Sequence, residues 1–149
     1  MVIQTLQTLF SRDLRKLKQE INLYKREHRI WKMEKAIANS AGNLCLHLIG
    51  NFSTYIGAEI GKSGYIRDRE LEFSQKDVPR QVIIEKIEST IEVVRKSLDM
   101  IMEEDLDKEY PLLVFAEKTT TGYFLTHLAV HLGYHLGQVN YHRRLLDVE

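Results

Sequence analysis

One cysteine, two prolines and eight glycines among 149 residues exclude several kinds of protein at once. Cys45 alone can neither close an internal disulfide nor build a cysteine-based zinc site, and its solitude suits a reducing, cytoplasmic setting. Pro79 and Pro111 are the only prolines, so long regular elements are favoured over a turn-rich β protein. No charge surplus exists either: 21 basic side chains stand against 21 acidic ones, for a formal net charge of zero. Nucleic-acid binding runs on excess positive charge meeting phosphates and is not expected as the main role. Met1 to Phe10 lacks a basic start followed by an apolar run, so it does not read as a signal peptide. Two stretches, 36–58 and 119–142, contain no Asp, Glu, Lys or Arg. Each is long enough to cross a bilayer, but both carry too many Asn, Thr, Gln and His side chains for that. They are expected to be buried helices, with no membrane partner.

What is present is a chain 44% hydrophobic and 28% charged, ordinary for a globular protein and long enough to bury one core. A single domain over residues 1–149 is expected. Ile3, Leu6, Phe10, Leu14, Leu17, Ile21 and Tyr24 recur in steps of three and four, one stripe of an amphipathic helix, and His28 and Trp31 continue it. A second helix begins at Asn39 or Ser40, either able to cap free N–H groups, and ends near Gly57 or Gly61. A third starts around Pro79 and carries Ile84, Ile87, Ile91, Val94, Leu98 and Ile101. A fourth follows Thr119-Thr120-Thr121-Gly122 and runs to about Leu146. Between the second and third lies a polar segment, residues 62–78, longer than a tight connection requires. The pattern predicts an all-α four-helix bundle with a long crossover loop between helices 2 and 3. Residues 1–35 are rich in Arg and Lys and residues 79–109 in Asp and Glu, which reads as two solvated faces complementing each other.

Five of the six histidines lie in the two charge-poor stretches. His127, His131 and His135 are spaced by four, which stacks them one turn apart on a helix. At about 100° per residue, His131 and His135 turn toward the apolar side marked by Leu128, Leu132, Val139 and Leu146, and His127 turns away. His47 sits at the edge of the apolar arc of the second helix, with Asn51 one turn later. Cys45, on the other side of that helix, reads as a small core residue. Three neutral imidazoles would fill three positions around a divalent cation and leave room for water or substrate, the open kind of site found in catalysis. The spacing alone is equally compatible with packing and hydrogen-bonding histidines. No Glu follows the first histidine of the pair, so this is not the zinc-protease helix, and no Asp or Glu stands at an obvious general-base position. Asn51 and Gln138 read either as hydrogen-bond partners of the imidazoles or as solvent-facing polar groups. His28 and His142 have no evident partner. Val130, Gly133, Tyr134, Gly137 and Tyr141 share the face of the fourth helix opposite the core, a composition that suits contact with a second copy of the chain.

The segment Ser40-Ala-Gly-Asn-Leu-Cys-Leu-His47-Leu-Ile-Gly-Asn51 resembles the second-helix motif of the DinB/YfiT-like family. Leu128-Ala-Val-His131-Leu-Gly-Tyr-His135-Leu-Gly137-Gln138 is similar to its fourth-helix motif, His-x-x-x-His followed by Gly-Gln, and the Arg143-Arg144-Leu145-Leu146 ending is also similar. The resemblance covers nearly the whole chain. It implies a four-helix bundle, often a homodimer, holding one divalent metal, zinc or nickel foremost, on His47, His131 and His135. It also implies a metal-dependent hydrolase or thiol-dependent transferase that activates water or a low-molecular-weight thiol against a small-molecule substrate. The alternative is a non-catalytic metal- or ligand-binding bundle. Leu136 departs from the pattern, standing where relatives commonly carry an arginine.

Overall fold

The computed structural model describes residues 1–148; Glu149, the last residue of the expected domain, lies outside them. It is all-helical, with five α-helices and no named strand among the described residues: α1 (Val2–Leu23), α2 (Ala41–Phe52), α3 (Arg69–Ser74), α4 (Arg80–Leu98) and α5 (Thr121–Leu146). α1 packs on α4 and α5, and α2 packs on the same two helices as well as on α3. No helix is long and apolar enough to cross a membrane.

The stripe of α1 is buried as its spacing predicts, from Leu6 through Phe10, Leu14, Leu17 and Ile21 to Tyr24. The helix does not carry the stripe to Trp31. Nothing in the local sequence stops it; the stop comes from the far end of the chain. Asp147 accepts hydrogen bonds from the backbone N–H groups of Lys25 (2.6 Å) and Arg26 (3.3 Å), and Arg80 donates to the Tyr24 carbonyl at 2.7 Å. Those groups would otherwise serve the next helical turn. A 3₁₀ turn, Glu27–Trp31, follows, leaving His28 exposed and Trp31 buried. The Trp31 indole lies flat against Gly42, where a Cβ would come within 2.6 Å of the ring.

Ser40 caps α2, its Oγ accepting from the Asn43 N–H at 3.1 Å. Every residue of α2 is buried, Cys45 included. The helix continues into a π-helical turn, Ser53–Ala58, and the shifted pairing leaves the Tyr55 carbonyl to accept the Tyr110 hydroxyl at 2.6 Å. Thr120 caps α5 through the Tyr123 N–H, so this helix begins at Thr121, two residues before the expected start. Ile101, expected on the third long helix, lies past the end of α4. Residues 110–119 form a loop closed at its base by backbone bonds from Tyr110 to Thr119 and from Thr121 to Lys108, each 2.8 Å.

The basic and acidic faces meet at Lys18–Glu88, 3.3 Å apart and exposed, a contact type that contributes about 0–1 kcal/mol. On the outward side of α5, Val130, Tyr134 and Tyr141 are exposed, and a Cβ at Gly133 or Gly137 would meet nothing within 4 Å.

Candidate metal centre

His47 projects from the middle of α2, and His131 and His135 from successive turns of α5. The Nε2 atoms of His131 and His135 are 2.9 Å apart, and those of His47 and His131 are 3.4 Å apart. One nitrogen from each of the three rings lies within 4.8 Å of the others. Two of the three opposite nitrogens are anchored outward. His47 Nδ1 faces Glu72 Oε1 at 3.1 Å, and a buried carboxylate accepts, so the ring proton sits on Nδ1 and Nε2 presents a lone pair. Gln138 Oε1 does the same for His135 Nδ1 at 2.7 Å. His131 Nδ1 is buried with no hydrogen-bond partner. The Nε2 lone pairs of His47 and His135 therefore both face His131 Nε2 across a small gap, an arrangement that fits either a shared ring proton or an electron-pair acceptor placed between them. Three converging neutral imidazoles are a donor set that fits a divalent cation and leaves part of its coordination open.

The electrostatics keep the two α5 rings neutral. Burial first, then the proximity of His135 and His47, pushes His131 down to about 4. Burial also lowers His135, outweighing the bond to Gln138. Neutral imidazole is the form that offers its lone pair to a metal.

Glu72 is the residue that sequence reasoning missed. Residues 62–78 contain a short helix, α3, where only a connection is expected. Asp68 caps it by accepting from the Leu71 N–H at 3.1 Å, and an Asp followed by acidic residues was the available signal. Asn43, fully buried on α2, holds α3 in place by donating to the carbonyls of Glu72 (2.9 Å) and Gln75 (2.8 Å). Gly50, also on α2, leaves the space for the carboxylate: a Cβ there would lie 2.6 Å from the Glu72 carboxyl carbon. Arg67 completes the support, Nε donating to Oε2 at 2.8 Å and Nη2 to Oε1 at 2.9 Å. Burial pushes the Glu72 carboxyl up, but hydrogen bonds from His47 and Arg67 outweigh it and leave it below its ordinary value. A carboxylate thus backs one imidazole, although the sequence shows no Asp or Glu at an obvious general-base position.

The imidazoles open into a cleft of about 160 Å³ whose walls include Asn51, Arg67, Arg69, Val114, His127 and Leu128. Asn51 makes no bond to the rings; its Oδ1 is buried and unpartnered. His127 is half-buried rather than a plain surface residue. Its ring stacks on His131, 6.1 Å between centroids and 9° between planes, and meets Phe115 edge-on at 4.7 Å. His142 is remote from the cluster and has two partners. Its Nε2 donates to the Lys32 carbonyl at 2.7 Å, leaving Nδ1 to accept the Tyr24 hydroxyl at 2.7 Å.

No curated protein matches the chain significantly. A family profile described as "Protein of unknown function (DUF1572)" matches residues 2–149, and the chain belongs to that family.

Proposed function

We propose that the chain is a metal-dependent enzyme of the DinB/YfiT-like type, in which His47, His131 and His135 hold one divalent ion, zinc or nickel. On this reading α1, α2, α4 and α5 form the four-helix bundle of that type, residues 62–78 are its crossover, and the exposed tyrosine- and glycine-bearing face of α5 meets a second copy of the chain. The observation that carries the proposal is the convergence of three Nε2 atoms with Glu72 and Gln138 fixing the outward nitrogens of two rings, a pattern that hydrogen-bonded packing histidines do not need. A divalent cation held there would act as a Lewis acid on water or a small thiol.

The chain's own groups have separable tasks. Glu72 and Gln138 hold the His47 and His135 rings in the tautomers that present Nε2. Arg67 holds Glu72. Asn51 offers an amide to whatever occupies the cleft. His127 makes no hydrogen bond among the described residues and lines the cleft beside His131. Phe124, Leu128 and Val114 keep that wall apolar.

Metal analysis of protein purified without a polyhistidine tag tests the proposal. About one divalent ion per chain is expected, lost in both His47→Ala and His131→Ala. Folded wild-type protein that takes up neither zinc nor nickel on titration overturns it. Screening the loaded protein with several thiols then separates an enzyme from a binding module.

A further inference from the structure

The cleft beside the three imidazoles carries positive charge that the protein does not use. Two arginines line it and no Asp or Glu does, among the described residues. Arg67 is committed: its Nε and Nη2 both donate to Glu72, with Nη2 also 3.5 Å from His47 Nδ1, so that the Arg67–Glu72 pair is close to neutral as a unit. Arg69, the first residue of α3, is exposed and makes no hydrogen bond or ion pair among the described residues. Its neighbour Asp68 is turned back onto the Leu71 N–H and Glu72 is held by Arg67. Val114, Phe124 and Leu128 supply the apolar part of the lining. The space is small, about 160 Å³, and open to solvent on one side.

We infer that the substrate is a small molecule bearing an oxyanion, a carboxylate or phosphate, which pairs with Arg69 while its reacting end reaches the imidazole cluster. This rests on the proposed metal-dependent activity and adds the charge class of the substrate. A guanidinium forms two parallel N–H···O bonds to a carboxylate or phosphate, fixing orientation as well as attracting charge. Arg69 is therefore a binding residue that sets specificity, and Arg67 a positioning residue that acts through Glu72. The apolar lining accepts the uncharged middle of such a molecule, and a neutral analogue of equal size loses the anchor at Arg69.

The test is calorimetric titration of zinc-loaded protein with 3-mercaptopropionate and with 2-mercaptoethanol, which differ little in length and share the thiol. The anionic thiol is expected to bind about fivefold more tightly, the upper range for an exposed ion pair, and the advantage should shrink at high salt. Arg69→Gln should abolish the advantage without changing zinc content or the affinity for 2-mercaptoethanol, and Arg69→Lys should keep part of it. Equal affinities in the wild type, or an advantage that survives Arg69→Gln, overturn the inference while leaving the metal proposal standing. Failure of zinc to bind would instead defeat the metal proposal. The anion site is then decided on metal-free protein: an NMR shift of the Arg69 Nε–H on adding acetate or inorganic phosphate, lost in Arg69→Gln, supports it, and no shift overturns it.

Discussion

His47 Nδ1 lies 3.1 Å from Glu72 Oε1 across 25 residues of chain, and this bond decides which face of the imidazole looks into the cleft. Removing the carboxylate frees the ring to adopt the other tautomer or to rotate. Glu72→Ala is expected to weaken zinc binding about 10- to 100-fold, as read by competition with a chromophoric chelator. Gly50→Ala should act in the same direction without touching either polar group, because its methyl displaces the carboxylate. Unchanged affinity in both variants would show that Glu72 is not what orients the ring.

Asn43 is fully buried and its amide bridges α2 to the end of α3. Asn43→Ala leaves two carbonyls without a donor and is expected to destabilise the protein by about 2–3 kcal/mol, within the range for buried groups left unpaired. Chemical denaturation reads this loss directly. Because α3 carries Glu72, zinc affinity should fall too; a variant that loses stability and keeps full affinity would separate the two roles.

His127, His131 and His135 of α5 are equally spaced in sequence but not equally placed. His131 and His135 aim Nε2 at His47, whereas His127 stacks beside them. Alanine variants should divide accordingly: His131→Ala and His135→Ala lose metal, and His127→Ala keeps it. Metal analysis after dialysis gives the answer, and loss of metal from His127→Ala would contradict the geometry.

His142 is held neutral by its surroundings, burial lowering its pKa despite the bond to Lys32. The unfolded chain takes up a proton near pH 6.5, and the folded state resists doing so until lower pH. Stability is therefore complete above about pH 6.5 and falls as the pH drops below it. In metal-free protein, urea midpoints measured from pH 7.5 to 5 should fall less steeply for His142→Gln than for the wild type. The variant should also be weaker at pH 7.5 by about 1–3 kcal/mol, since the buried Tyr24 hydroxyl loses an acceptor. Parallel pH profiles would rule out His142 as a contributor.

Much of the helical framework was legible because it rests on periodicity. The stripe of α1, the Ser40 cap and the apolar positions of α4 follow from local rules, and helical projection brings His131 and His135 to the inner side of α5. The parts that escaped depend on contacts between distant residues. α1 ends because Asp147 and Arg80 take its last backbone groups, which nothing near Tyr24 announces. His142 acquires its partners from Tyr24 and Lys32, more than a hundred positions away. α3 has six residues, too few to show a period, and its capping Asp68 sits in a stretch whose polarity resembles any loop. Glu72 was hidden for the same reason: nothing in its surroundings distinguishes it from Glu70 until Gly50 and Asn43 are brought against it.

His47 and His131 are 84 positions apart. A chain emerging from the ribosome exposes the first of these rings long before the others exist, and α5 must be nearly fully synthesised before it can dock. The imidazole cluster consequently forms only once α5 has docked on α2, so a probe bound there would signal that long-range pairing rather than any earlier collapsed stage.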